Sequence, residues 1–227
     1  MLHKKCLYVV AVPIGNYSDF TLRAIEILKD VDLVIGEEYS TTEKILKRIG
    51  IVHKEIFVLN EHNEKDVCLD LIHEMTTKKL SVAIISEAGT PCIADPGARL
   101  VDQCHQNHIR IVPIPGVSSI MTTLMVSGLI KDSFKYIGFL PVKTELRKTE
   151  LIKLNKENIP IIILETPYRM KQLLSDIHDK CGEKKRIIFA YKLTQPEEMI
   201  LKDTIFEIIK KTVDIKKGEF IVVLLPN

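Results

Sequence analysis

Five short segments of the chain gather residue types that can hold or process a small polar molecule. They are Pro13-Ile14-Gly15-Asn16, Gly36-Glu37-Glu38, Glu61-His62-Asn63-Glu64, Ser86-Glu87-Ala88-Gly89-Thr90-Pro91 and Pro115-Gly116-Val117-Ser118-Ser119. Glycine and proline turn a backbone sharply and let it approach a ligand closely. Amides left open at such bends, with Ser and Thr hydroxyls, can bind polar groups; taken singly, each segment can also be a plain turn. His62 lies between Glu61 and Glu64. Either carboxylate could orient it and raise its pKa for proton transfer, and a structural loop histidine has the same pattern. Cys104, His105 and His108 are close in sequence, but on one helix they read as a solvated face, and no metal site is expected.

The chemistry that is missing narrows the field. No G-x-G-x-x-G follows the first apolar run and no G-x-x-x-x-G-K-[ST] occurs. That argues against ordinary dinucleotide enzymes, against P-loop NTPases and against methyltransferases with a glycine-rich first loop. The nucleophile turn G-x-S-x-G is absent as well.

Each of the five segments follows a strand-like run, at residues 6–12, 32–35, 56–59, 80–85 and 109–114. Between them the spacing predicts helices over 20–31, with Ser18 or Asp19 as N-cap, and over 42–49, 66–75 and 99–108. Such alternation predicts parallel strands with helical crossovers, and ligands then bind beyond the carboxyl ends of the strands. After a helix over 118–126 the pattern pauses near 127–133. It resumes with strands at 134–140, 160–164 and 186–191 and helices at 144–156 and 169–180. An extended piece at 198–205, a short helix to about 213 and a strand at 219–225 complete it. The fold expected is α/β, with domains at 1–116 and 134–227 joined by a helix and linker at 117–133.

Composition agrees with a globular enzyme or binding protein: 227 residues, 46% hydrophobic, 27% charged, with 10 glycines and 10 prolines. No apolar run reaches the roughly 18 residues of a membrane span, and the start runs into a strand without a signal-peptide core. Five scattered cysteines without C-x-x-C suit reduced thiols, so a cytoplasmic location is expected. The net charge of +2 divides unevenly, −3 over residues 1–115 and +5 over 116–227. The second half therefore suits a phosphate-rich partner, or carries lysine-rich solvated helices.

Longer motifs carry a resemblance. Tyr8-Val9-Val10-Ala11-Val12-Pro13-Ile14-Gly15-Asn16 with Asp19-Phe20-Thr21-Leu22-Arg23-Ala24 resembles the opening of the tetrapyrrole methylase superfamily. Ser86-Glu87-Ala88-Gly89-Thr90-Pro91-Cys92-Ile93-Ala94-Asp95-Pro96-Gly97 is similar to the S-D-A-G-T-P-x-I-S-D-P-G of its ribosomal RNA small-subunit methyltransferase I branch. Glu61-His62-Asn63-Glu64, Pro113-Ile114-Pro115-Gly116, Gly138-Phe139-Leu140-Pro141 with Arg147-Lys148, Glu165-Thr166-Pro167-Tyr168-Arg169 and Lys217-Gly218-Glu219-Phe220 continue the match in order.

The resemblance implies two α/β domains with S-adenosyl-L-methionine in the cleft between them, a homodimer, and methylation of the 2′-oxygen of a cytidine ribose in small-subunit (16S) ribosomal RNA. It implies cofactor contacts from Pro13, Ala88, Gly89, Thr90, Ile93, Ser118 and Ser119, and from Glu165, Leu193 and Thr194. Glu61 and His62 are the candidates for the base. Lys143, Arg147, Lys148, Lys153, Lys184, Lys185 and Arg186 are the candidates for RNA phosphates. A tetrapyrrole or other small-molecule acceptor, and a non-catalytic cofactor- or RNA-binding protein, are the alternatives. The family's A-E-D-T-R appears as Gly36-Glu37-Glu38-Tyr39-Ser40, its R-E-L-T-K as Tyr191-Lys192-Leu193-Thr194-Gln195, and the aspartate of S-D-A-G-T-P as Glu87. These departures bear on the acceptor more than on the cofactor loop.

Overall fold

The computed structural model describes residues 3–129 and 133–226; residues 130–132 of the expected linker, and the first two residues of the expected start, lie outside them. The chain divides into two compact units, Met1–Ser118 and Ser119–Asn227.

The first unit alternates β1 (Cys6–Val10), α1 (Leu22–Asp30), β2 (Leu33–Gly36), α2 (Tyr39–Arg48), β3 (Glu55–Val58), α3 (Glu64–Thr77), β4 (Ser81–Ile84), α4 (Ala98–Gln106) and β5 (Arg110–Ile114). Its sheet is parallel throughout, in the order β3-β2-β4-β1-β5. Helices cover both faces. Cys6, Tyr8 and Val10 share one core with Ala24 and Leu28 of α1 and Ile45 and Leu46 of α2. Leu7 shares the other with Leu71 and Met75 of α3 and Leu100 of α4. Two-sided burial demands unbroken apolar strands, which is why β1 and β4 are so plain in the sequence. The start of α1 differs from expectation. Thr21 is its N-cap, with Oγ1 accepting from the Ala24 amide at 3.1 Å, while Tyr17–Asp19 form a separate single 3-10 turn capped by Asn16.

Strand β1 sits between β4 and β5. The crossover leaving β1 leads toward β2, and the one leaving β4 leads the opposite way to β5. An open α/β sheet leaves a ligand crevice where successive loops diverge in this manner.

The second unit holds α5 (Ser119–Ser127), β6 (Lys135–Phe139), α6 (Thr144–Leu154), β7 (Ile161–Glu165), α7 (Met170–Cys181), β8 (Arg186–Tyr191), β9 (Met199–Thr204), α8 (Ile205–Lys211) and β10 (Phe220–Leu224). Its sheet runs β6-β7-β10-β8-β9 and is mixed, with β6 parallel to β7. Strand β10 is antiparallel to both β7 and β8, and β9 is antiparallel to β8. The physical reason lies in the connections. A parallel pair needs a crossover of a dozen or more residues, whereas only residues 192–198 join β8 to β9. Helix α5 packs Ile120 and Leu124 against Ile162, Ile188, Ile221 and Val223, so it belongs to the layers of this unit. Helices α6, α7 and α8 cover the opposite face through Leu151, Leu173, Ile177 and Ile208.

Candidate functional site

The segments that follow β1, β4 and β5 are tied into one assembly. The Val12 amide donates to the Gly89 carbonyl at 2.8 Å and the Gly89 amide to the Val12 carbonyl at 3.1 Å. Gly89 adopts φ +82°, and a Cβ there would stand 3.2 Å from Ile14 Cγ2. Gly116 is similarly tight, its hypothetical Cβ 3.1 Å from that of Ala11. Thr90 Oγ1 donates to the Val117 carbonyl at 3.0 Å, and the buried Ser86 hydroxyl reaches the Ala88 and Gly89 carbonyls, each at 3.2 Å. Pro13, Ala88, Gly89, Thr90 and Ser118 therefore belong to a single rim at the carboxyl edge of the sheet. Ile93 is exposed farther along the same loop. Ser119 opens α5 and so lies in the second unit.

The remainder of the loop after β4 is held in an unusual backbone. Cys92 and Ala94, neither of them glycine, take φ +67° and +66°. Such conformations persist where surroundings over-determine them, and they concentrate at ligand clamps. The surroundings here include Glu64. Its Oε1 accepts from the amides of Gly97 at 2.9 Å and Arg99 at 3.2 Å, at the start of α4. A carboxylate there satisfies orphan amides and opposes the helix dipole. Glu64 is thus committed to α4 rather than to His62. The Nε2 of His62 stands 3.6 Å from Glu61 Oε1, with side chains 85% and 80% exposed. Asn60 and Asn63 shape this turn: Asn63 Nδ2 donates to the Val58 carbonyl at 3.0 Å, and Asn60 Oδ1 accepts from the His62 amide at 3.1 Å.

Carboxylates crowd the same edge. Burial pushes Asp95 up to about 6, and the charges of Glu37 and Glu87 add to the effect. Glu37 is raised as well, first by burial and then by Glu87, Glu61 and Glu38. Asp95 carries no mark of a site residue in the sequence, since its companions Glu37 and Glu87 sit elsewhere along the chain. Beside this cluster is a cavity of about 140 Å³. Pro13 and Ala88 line it together with Ile14, Tyr17, Ile45 and Glu87. Tyr17 could have been found from its place directly after the first bend; Ile45, buried mid-helix, carries no such signal.

In the second unit, Glu165 ends β7 and Tyr191 ends β8, and both pair with Phe220 of β10. The antiparallel β10 therefore brings Glu165, and Leu193 and Thr194 just beyond Tyr191, to one edge of that sheet. Gly218 leaves no room for a side chain, since its Cβ would lie 2.7 Å from Tyr191 Cε2. Leu193 is buried; Thr194 takes φ +66°, and its amide donates to Glu198 Oε2 at 2.6 Å. Glu165 Oε1 accepts from the Thr166 amide and from Arg169 Nε, each at 2.7 Å, whereas its buried Oε2 has no hydrogen-bond partner among the described residues.

Arg147, expected among the RNA contacts, is buried. Its Nε donates to Asp176 Oδ2 at 2.7 Å, and its Nη1 to the carbonyls of Val142 at 2.8 Å and Pro141 at 3.3 Å. Lys185 is buried too. Lys143, Lys184 and Arg186 remain exposed.

Among the described residues no helix is long and apolar enough to cross a membrane, and no three His, Cys, Asp or Glu side chains are grouped to hold a metal. The profile of the tetrapyrrole (corrin/porphyrin) methylases matches residues 6–209. The protein called ribosomal RNA small subunit methyltransferase I in Vibrio cholerae is 38% identical over 221 residues, which cover 96% of this chain and 76% of that one. Its namesake in Haemophilus influenzae is 39% identical over 199 residues, covering 88% and 70%. Among solved structures, a diphthine synthase superposes with a TM-score of 0.74 at 16% identity, over 97% of this chain and 89% of its own; this likeness speaks to the fold alone.

Proposed function

The chain belongs to the tetrapyrrole (corrin/porphyrin) methylase family, in the branch of the ribosomal RNA small subunit methyltransferase I proteins, and we propose that it moves a methyl group from S-adenosyl-L-methionine to a cytidine 2′-oxygen of small-subunit ribosomal RNA. That it is a methyltransferase follows from its family. Donor, acceptor and residue roles are this proposal. It rests above all on the paired bends at Val12 and Gly89, where glycine and small residues draw two backbones together at the crevice of the sheet.

The residues present suit the donor. When bound, it supplies an electrophilic methyl group on a cationic sulfur. Pro13, Ala88, Gly89, Thr90, Ile93 and Ser118 form or flank the rim, and the carboxylates of Glu37, Glu87 and Asp95 give that edge a negative potential suited to a cation. In the second unit, Glu165 offers a buried oxygen with an unused acceptor site, and Ser119, Leu193 and Thr194 are that unit's other candidates. Holding two reactants in line is worth up to about 7–11 kcal/mol in favourable cases. A ribose hydroxyl must also lose its proton. Glu61 and His62, paired at the carboxyl end of β3, are proposed to take it, and their removal should lower kcat by about 10²–10⁴-fold. The proposal includes a cytoplasmic location and a homodimer, and light scattering of the purified protein tests the latter.

Calorimetry with S-adenosyl-L-methionine, followed by tritium transfer into under-methylated small subunits, examines the main claim. Saturable binding and label in a cytidine ribose are expected. Binding without label in RNA, but with label in a porphyrinoid, would move the acceptor to a tetrapyrrole.

A further inference from the structure

We propose that the cavity beside the first bend seats the base of the acceptor nucleotide, with Tyr17 stacking on a pyrimidine ring and Glu87 reading the exocyclic amine of cytosine. This rests on the ribosomal RNA reading above and adds to it the residues that choose the base.

Size comes first. The cavity holds about 140 Å³, and an apolar cavity of about 150 Å³ accommodates one benzene ring. A six-membered pyrimidine ring matches that volume.

Chemistry comes second. The walls from Val12, Ile14 and Ile45 are apolar, as the faces of a base require. Tyr17 is 38% exposed, so part of its ring remains available for stacking. Stacking uses the face of that ring away from the Arg48 guanidinium, which stands over the other face 5.4 Å from the centroid. That guanidinium sets a cation beside the cavity in the half of the chain whose own balance is −3, where an RNA phosphate would otherwise meet repulsion. Enzymes that act on an unstacked nucleotide hold its base by such stacking and by hydrogen bonds to its edge. Among the described residues of the lining, Glu87 is the one carboxylate. A carboxylate accepts from the N4 amine of cytosine and repels the O4 carbonyl of uracil. The cavity also shares Pro13 and Ala88 with the proposed donor rim, so base and donor would have a wall in common.

The experiment compares the wild type with Tyr17→Ala and Glu87→Gln. Tritium transfer is measured into small-subunit RNA carrying cytidine or uridine at the acceptor position, and calorimetry gives donor affinity. Tyr17→Ala should raise the KM for RNA by roughly 5- to 150-fold, the range of one lost base stack, and leave donor affinity within about two-fold. Glu87→Gln presents an amide that can both donate and accept, so the preference for cytidine over uridine should fall by about ten-fold or more. A loss of donor affinity in Tyr17→Ala comparable to its loss of RNA affinity would overturn the proposal by assigning the cavity to the donor. An unchanged KM with an unchanged base preference would also overturn it while RNA labelling by the wild type continues. A wild type that labels no RNA would remove the ribosomal reading and this inference with it.

Discussion

Replacing Arg147 with alanine takes away a guanidinium that is 3% exposed and whose partner, Asp176, is 1% exposed. Breaking a buried ion pair from one side strands the other charge, at a cost of about 3–5 kcal/mol. Asp176 retains Lys148 Nζ at 3.7 Å and Gln172 Nε2 at 3.1 Å, which offset part of that loss. The carbonyls of Pro141 and Val142 lose a donor at the same time. The balance places the destabilisation near about 3 kcal/mol. Lys148→Ala, removing a more distant and partly exposed cation, should cost about 1 kcal/mol or less. Urea unfolding followed by far-ultraviolet circular dichroism measures both, and the absence of tryptophan makes dichroism the natural probe. The same variants separate structure from RNA contact. A phosphate-binding residue changes the slope of log affinity against log salt by about one when removed. If Arg147→Ala unfolds at the wild-type urea midpoint and flattens the salt dependence of RNA binding, the assignment of Arg147 to the packing of α6 against α7 is wrong.

Three further expectations concern the first unit. The folded protein keeps the Asp95 proton up to a pH of about 6, against a reference of 3.8. It therefore binds more protons than the unfolded chain between those values, and the Asp95 contribution to stability falls as pH rises through that window. Asp95→Asn should remove that part of the pH dependence, and denaturation curves of the two proteins that keep a constant separation from pH 4 to 7 would count against it. Gly97 has φ +116°, and a Cβ would meet Ile84 Cδ1 at 2.5 Å; Gly97→Ala should cost about 1–3 kcal/mol and weaken donor binding, which thermal melts and calorimetry read together. Glu64→Ala strips the start of α4 of its acceptor and should cost about 0.5–2 kcal/mol, whereas Glu64→Gln, which keeps an acceptor oxygen, should recover part of the loss in the same melts.

The elements were legible where burial repeats locally. Strands such as β1 and β4 are apolar on both faces and bounded by Gly, Pro or charge, so periodicity finds them within a residue or two. Their loops announced the rim for the same reason, since bends at strand ends need Gly and Pro. What stayed hidden depends on partners far along the chain. Nothing near Arg147 reveals that Asp176 will neutralise it, so an arginine in a lysine-rich stretch read as surface charge. Glu64 stands two residues from His62 and is one of two carboxylates that could orient it, yet its oxygen caps a helix that begins at Ala98. The direction of β10 was equally hidden, because an apolar strand looks the same whether it runs parallel or antiparallel to its neighbours. The cavity joins Tyr17, Ile45 and Glu87 from three separate stretches of sequence, and only the fold assembles it.

The place of β1 between β4 and β5 also has a kinetic side. The first strand to be synthesised pairs Cys6 with Ser81 and with Arg110, both far downstream, while β2 and β3 meet early. Closing such distant pairs slows folding and lengthens exposure of unpaired edges. During translation this internal strand must wait, apolar on both faces, until most of the first unit has left the ribosome. A nascent chain arrested just after β3 should accordingly be sensitive to protease, and one arrested well past β5 should be resistant.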